Sequence, residues 1–407
     1  GHFPAGTYTI DKTQPSDPVG TKNFNSWGEA VSALSCGIAG PVVFNVKANV
    51  YEEQIRIPAI PNSSAVNTVT FQSENGIAAS TELRFDATAI KNYVVQLDSA
   101  SNVVFKNLTL TATNQLNGRV FDILNIASND SILNCVINAP KPLSNPDWPY
   151  PPPTAAGILA SSKFSGGGLV IKGNTIRRGE KGIYIVGPSF TSFTNNNRIE
   201  NNTFDSSLQH SIYVKNASNI KINNNTIPVN TDFSIESYNQ GVYGIYMNNC
   251  DSAIEVKNNT ITIQNNTGYT YGIYMTEDTG TENGRGKVMN NKVVAITGLT
   301  SLVNGLFNAD GSYTDIINNE LSVASSVAGT ESWLFAAALV TRDARHINYY
   351  NNSLLNTSPA AGIYNAALWV DHQYSSSGGF TNNFNNNIAN KGGGPAAFCN
   401  YTPEQQE

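Results

Sequence analysis

The chain has 407 residues, of which only 13% are Asp, Glu, Lys or Arg, and its formal net charge is -6. So little charge, with no basic run and no basic–aromatic pattern, argues against a nucleic-acid partner. The longest apolar run, "WLFAAALV" at 333–340, is too short to span a bilayer. No signal peptide opens the sequence, where Gly1-His2 reads as a mature start or a cloning remnant.

The first predicted element is a helix over 26–35. Ser26-Trp27-Gly28-Glu29 has capping-box spacing, "EAVSAL" follows, and Gly37 stops it. Residues 1–39 therefore read as a cap, which an open-ended stack of strands needs to cover its first edge. The run "GPVVFNVKANVYEEQIRIPAI" (40–60) reads as the first full coil. The stretch "APKPLSNPDWPYPPPTAAG" (139–157) breaks the strand pattern. Its prolines preclude ladder hydrogen bonds, so it is a loop leaving the coil. It carries Trp148 and Tyr150, and is either an apolar flap on the flank or a wall beside a binding groove.

Beyond it two motifs alternate. An Asn-x-apolar triplet recurs at Asn174, Asn202, Asn225, Asn259, Asn291, Asn319, Asn352 and Asn386, in steps of 23 to 34 residues. Between these lie "GIYIVG" (182–187), "SIYVKN" (211–216), "GIYMNN" (244–249), "GIYMTE" (272–277) and "GLFNAD" (305–310). Motifs in fixed order at a near-regular period mark a solenoid. Alternating side chains inside each motif predict strands, and Asn belongs at the corners, where it tolerates left-handed backbone. Stacked corner asparagines can bond to one another along the axis, which would satisfy their buried amides. These readings predict an all-β fold: one parallel β-helix of about ten coils over 40–399, a short N-terminal capping helix, and a tail or linker at 400–407.

Residues 25–75, with "FNSWGEAVSAL", "GPVVFNV", "VYEEQIRIP" and "NTVTFQSENG", resemble the opening of secreted right-handed parallel β-helix proteins of Bacteroidetes-type bacteria. More loosely they resemble the opening coils of pectin methylesterases. The resemblance implies a right-handed, extracellular helix with carbohydrate-related roles, but no single reaction. The pectin methylesterase catalytic motifs have no counterpart here. The expected location is secreted or cell surface, which low charge and abundant Asn also favour.

Aligning the coils by motif places Ile183, Ile212, Ile245, Ile273, Leu306, Leu339 and Leu368 inward. Tyr184, Tyr213, Tyr246, Tyr274, Phe307, Val340 and Trp369 then face outward, about 4.8 Å apart. Such aromatics could stack on sugar rings, with Trp148 nearby, or simply stiffen the sheet. Two or three residues further on comes a polar zone: Lys215, Asn216, Asn248, Asn249, Thr276, Glu277, Asp310, Arg342, Asp343, Asp371 and His372. "TRDARH" (341–346) and "WVDHQY" (369–374) should be neighbours on adjacent coils.

Three chemistries suit that zone. Asp343 with Asp371, or Asp310 with Asp343, could serve as the two carboxylates of a glycoside hydrolase. For a lyase, His372 or Tyr374 could be the base and Arg342 the neutraliser of a uronate; no cofactor is expected unless the acids hold calcium. A structural network with Arg342 paired to Asp371 is the bland alternative. The functional expectation is binding, and possible cleavage, of a polysaccharide or cell-surface glycan; the alternative is a non-catalytic adhesin or structural surface module. Cys36, Cys135, Cys250 and Cys399 form no metal or redox motif and read as two disulfides or four free thiols.

Overall fold

A computed structural model describes residues 1–141, 153–207, 209–230, 241–266, 269–297, 302–325, 336–358, 365–371, 382–392 and 394–400. Trp148, Tyr150, His372 and Tyr374 lie outside the described residues. The chain divides into two compact units, Gly1–Asp205 and Ser206–Glu407. Each is built from three parallel sheets that the chain visits in rotation, which is a parallel β-helix.

In the first unit, the helix Trp27–Ala33 is capped by the Ser26 hydroxyl, which accepts the Glu29 N–H. The Glu53 carboxylate accepts the free N–H groups of Trp27 and Gly28 at 3.2 and 3.0 Å, which suits an anion at a helix start. Coils then follow in register. Phe44 sits beside Phe71, and Phe71 beside Phe105, on successive strands of the first sheet. Their rings stack inside the coil at 4.9 and 5.4 Å, and Trp27 lies parallel to Phe71 at 5.3 Å. The capping helix thus plugs the interior with its own indole.

In the second unit the third sheet has seven described strands, from His210–Ser218 to Ala397–Asn400. Ile245, Ile273, Leu306, Leu339 and Leu368 are register partners and are buried, as the alternation predicts. The small residue before each has a steric cause. A Cβ on Gly244, Gly272 or Gly305 would come within 2.5–2.6 Å of the carbonyl oxygen on the next coil.

The corner asparagines divide their work by position. The first of each pair, Asn224, Asn258, Asn290, Asn318 and Asn351, takes left-handed backbone with φ of 53–57°. The second points inward and bridges the coils. Asn259 donates both its backbone N–H and its Nδ2 to Asn291 Oδ1 (3.0 and 2.9 Å), and Asn291 does the same to Asn319. Asn319 repeats the pattern to Asn352, and Asn352 to Asn386. Each Nδ2 also reaches a carbonyl of the preceding coil, as Asn319 does to Val288. In the first unit Asn174 bonds Asn202 likewise, and one coil earlier Cys135 holds the position and donates its N–H to Asn174. Cys36, Cys135 and Cys250 are free thiols; the Cys399 side chain is outside the described set.

Candidate functional site

The outer face of the third sheet in the second unit carries the expected ladder, doubled. Tyr213, Tyr246, Tyr274 and Phe307 are register partners on successive strands. Their rings stack at 4.6, 5.0 and 5.0 Å with interplanar angles of 3–7°. A second column, His210, Tyr243 and Tyr271, stacks beside it at 4.5 and 5.0 Å. The columns meet edge to face, for example Tyr243 against Tyr246 at 88°. The repeated "YGIY" was the signal for this second column: with the glycine turned inward at the corner, aromatics on both sides of the Gly-Ile pair reach the surface.

Stacking changes what the ladder offers. Ring faces lie against ring faces, so the half-buried tyrosines present edges more than faces. The strip also ends early. Trp369 is only 4% exposed and packs with Val340, Ala337 and Ala366, with Phe307 against them. The open aromatic strip expected up to Trp369 therefore stops at Phe307.

Tyr184 belongs to the first unit and is also buried, at 8% exposure. Lys181 Nζ lies 5.6 Å from its ring centre and is itself paired with Glu180 at 2.6 Å. Burial, reinforced by the charge of Glu180 against that of Arg119, pushes the Tyr184 phenol up to about 12. This buried Lys–Glu pair carries no sequence signal beyond its adjacency.

The polar zone forms two columns where the third sheet turns. Lys215, Asn248 and Thr276 are register partners, followed by Ala309, Arg342 and Asp371. Next to them Asn216, Asn249, Glu277, Asp310 and Asp343 all adopt left-handed backbone, with φ of 49–56°. Backbone bonds fix their order: Glu277 N–H to Ala309 O at 3.0 Å, Asp310 N–H to Arg342 O at 2.9 Å, and Asp343 N–H to Asp371 O at 2.7 Å. Three carboxylates thus stand on successive coils, and Asn248 Nδ2 donates to Glu277 at 3.1 Å. Partial burial, with the charges of Asp343 and Glu277, raises the Asp310 carboxyl; Arg342 and Arg345 oppose the shift.

Arg342 and Asp371 are register neighbours, yet no ion pair joins them. The structure therefore brings Arg342, Asp343 and Asp371 to one corner without the Arg342–Asp371 pair of the structural-network alternative. His372 lies outside the described residues. Among the described residues no group of three or more His, Cys, Asp or Glu is gathered as for a metal ion. A groove of about 800 Å³ lies elsewhere in this unit, on the outer face of the second sheet beside Lys292, Glu320, Ser353 and Asn387.

Sequence reasoning missed the next turn of the corner. Tyr313 and His346, each three residues past an aspartate of the column, stack at 4.4 Å and 15°. Arg285 lies over Tyr313 at 5.8 Å and is pinned by Asp315 at 2.6 Å. Both Tyr313 and His346 take left-handed backbone, a conformation unusual for bulky side chains.

Comparison with known proteins agrees with this architecture. The family model described as "Right handed beta helix region" matches residues 156–282. The chain is a right-handed parallel β-helix. It is similar in fold to the A-module of an Azotobacter vinelandii mannuronan C-5 epimerase, at 11% identity and a TM-score of 0.44, covering 93% of this chain and 96% of that one. It is also similar to the Streptococcus pneumoniae surface protein and adhesin PfbA, at 12% identity and a TM-score of 0.46, covering 91% and 90%. A lacto-N-biosidase from Eubacterium ramulus aligns at 11% identity and a TM-score of 0.44, covering 94% of this chain and 67% of that one. No curated protein matches the sequence.

No helix among the described residues is long and apolar enough to cross a membrane.

Proposed function

We propose that this chain is a secreted or cell-surface protein that binds a polysaccharide along the third-sheet corner of its second unit. One observation carries this reading: polar side chains repeat in register on successive coils, beside a parallel row of tyrosine edges. The column Asn249, Glu277, Asp310 and Asp343 advances by about 4.8 Å per coil. A repeating array of hydrogen-bonding groups suits a repeating polymer, whose successive sugars meet equivalent partners. The aromatic role shifts from ring stacking toward edge contacts from Tyr213, Tyr246 and Tyr274.

A second reading, cleavage at the same corner, is favoured by Asp310. Its carboxyl is raised by partial burial and by the neighbouring Asp343 charge, and a pair of adjacent carboxyl groups is what glycoside hydrolysis uses. Asp310 would be the acid, and Asp343 the base or nucleophile. Neighbouring coils place such groups about 5 Å apart, close to the separation of a retaining enzyme.

Retention on immobilised neutral and acidic polysaccharides tests binding, and reducing ends and ultraviolet absorbance of the eluate test turnover. Binding predicts retention that Tyr246→Phe weakens about two- to fivefold with an unchanged melting temperature. New reducing ends abolished by Asp310→Asn would add hydrolysis. Silence on every polymer would end the polysaccharide reading.

A further inference from the structure

The arginines of the second unit are not scattered. Residues 206–407 contain three, Arg285, Arg342 and Arg345, and all three lie at the corner just described. Arg285 is spent on Asp315, on the carbonyls of Thr314 and His346, and on the Tyr313 ring. Arg342 and Arg345 are different. Both are exposed, and among the described residues neither has a hydrogen-bond or ion-pair partner on its guanidinium. Their charges nevertheless reach Asp310, whose carboxyl they pull down against its overall rise. Asp310 is itself exposed and makes no side-chain hydrogen bond among the described residues.

Elsewhere most arginines are paired, the exposed Arg177 and Arg178 excepted. Arg56 meets Asp98, Arg84 meets Glu52 and Arg198 meets Glu200 across or along strands. At this corner carboxylates are within electrostatic reach, yet the guanidiniums do not close on them. The corner thus offers unspent donors of fixed positive charge beside an unspent acceptor.

A neutral sugar would use the acceptor and leave the charge of the arginines unmatched. A bare sulfate ion would use the arginines but bring no hydroxyl to Asp310. An acidic sugar matches both: its hydroxyls donate to Asp310, and its anionic group accepts from guanidinium in the planar, two-point geometry that arginine favours. We infer that Arg342 and Arg345 form a subsite for the carboxylate or sulfate ester of an acidic glycan. Asp310 is the hydroxyl acceptor, and the stacked Tyr313 and His346 form the adjoining wall. This rests on the polysaccharide reading above and names its substrate class.

The test uses one backbone in three forms: dextran, carboxymethyl-dextran and dextran sulfate, immobilised at equal density. The whole chain should be retained on one or both acidic forms more strongly than on dextran, with retention falling as salt rises. Arg342→Gln with Arg345→Gln should remove that preference, weakening retention tenfold or more. A control variant, Arg177→Gln with Arg178→Gln, removes the same charge in the first unit and should leave retention unchanged. The stronger acidic arm tells carboxylate from sulfate ester. Equal loss in both double variants would reduce the effect to net charge and overturn the subsite, as would full retention by the Arg342/Arg345 variant. Free galacturonate in a thermal-shift assay separates the two readings. A melting-temperature rise that the Arg342/Arg345 variant lacks would keep the acidic-sugar subsite even if no polymer were retained. No rise and no retention would overturn the subsite together with the glycan reading.

Discussion

The molecule builds two aromatic columns at the same pitch but on opposite sides of its sheets. In the first unit Phe44, Phe71 and Phe105 stack inside the coil, fully buried. In the second, Tyr213, Tyr246, Tyr274 and Phe307 stack outside it, half-exposed. Ring spacing is nearly the same, because both follow the spacing between strands. What differs is the solvent each ring gives up, so the inner column should carry stability and the outer column should carry surface chemistry.

The sharpest way to break that contrast is truncation. Phe71→Ala should cost about 3–5 kcal/mol in denaturant unfolding of the whole chain, because it empties a fully buried site between two rings. Tyr246→Ala should cost only about 1–2 kcal/mol, from lost stacking and partial burial. Equal costs would show the outer ladder to be a second core.

The asparagine stack comes next. Asn319→Ala removes the acceptor for Asn291 and the donors to Val288 and Asn352, leaving buried groups unmatched. A loss of about 2–4 kcal/mol is expected, visible as a lower denaturation midpoint. A neutral result would mean that water replaces the bridge.

A pH titration probes the interior of the second unit separately. Asp278 is buried, its Oδ1 accepts the Cys250 N–H at 2.6 Å, and Oδ2 has no partner among the described residues. Burial raises its carboxyl to about 8. The folded state therefore binds a proton that the unfolded chain releases near its ordinary pKa of about 4. That contribution to stability is complete below about pH 4, declines as pH rises toward 8, and is lost above it. Asp278→Asn should flatten this slope in melting temperatures between pH 5 and 8; an unchanged slope would place the proton elsewhere.

Much of this fold was legible in the residues themselves. The Asn-x-apolar triplets located the coils, and their inward asparagines bond along the axis because a buried amide has few other partners. Ile245, Ile273 and Leu306 face inward because alternation leaves them no other side. The inner phenylalanine column was not read, since Phe44, Phe71 and Phe105 lie before the motif becomes regular. Trp369 went astray for a different reason. Strand alternation says which face a side chain leaves from, but not what packs over that face. The polar zone was located by its concentration of charge. The arginines that stay unpaired there depended on side-chain direction, which spacing does not encode.

The asparagine stack also has a direction. Among the described residues, each rung from Asn259 to Asn352 donates its N–H and amide group to the oxygen of the rung after it. A growing solenoid therefore always ends in a pair of donors awaiting the next acceptor, and the chain leaves the ribosome in that same order. Each finished turn is a template for the one still being synthesised, so this stack can be assembled like a zip closed from its N-terminal end.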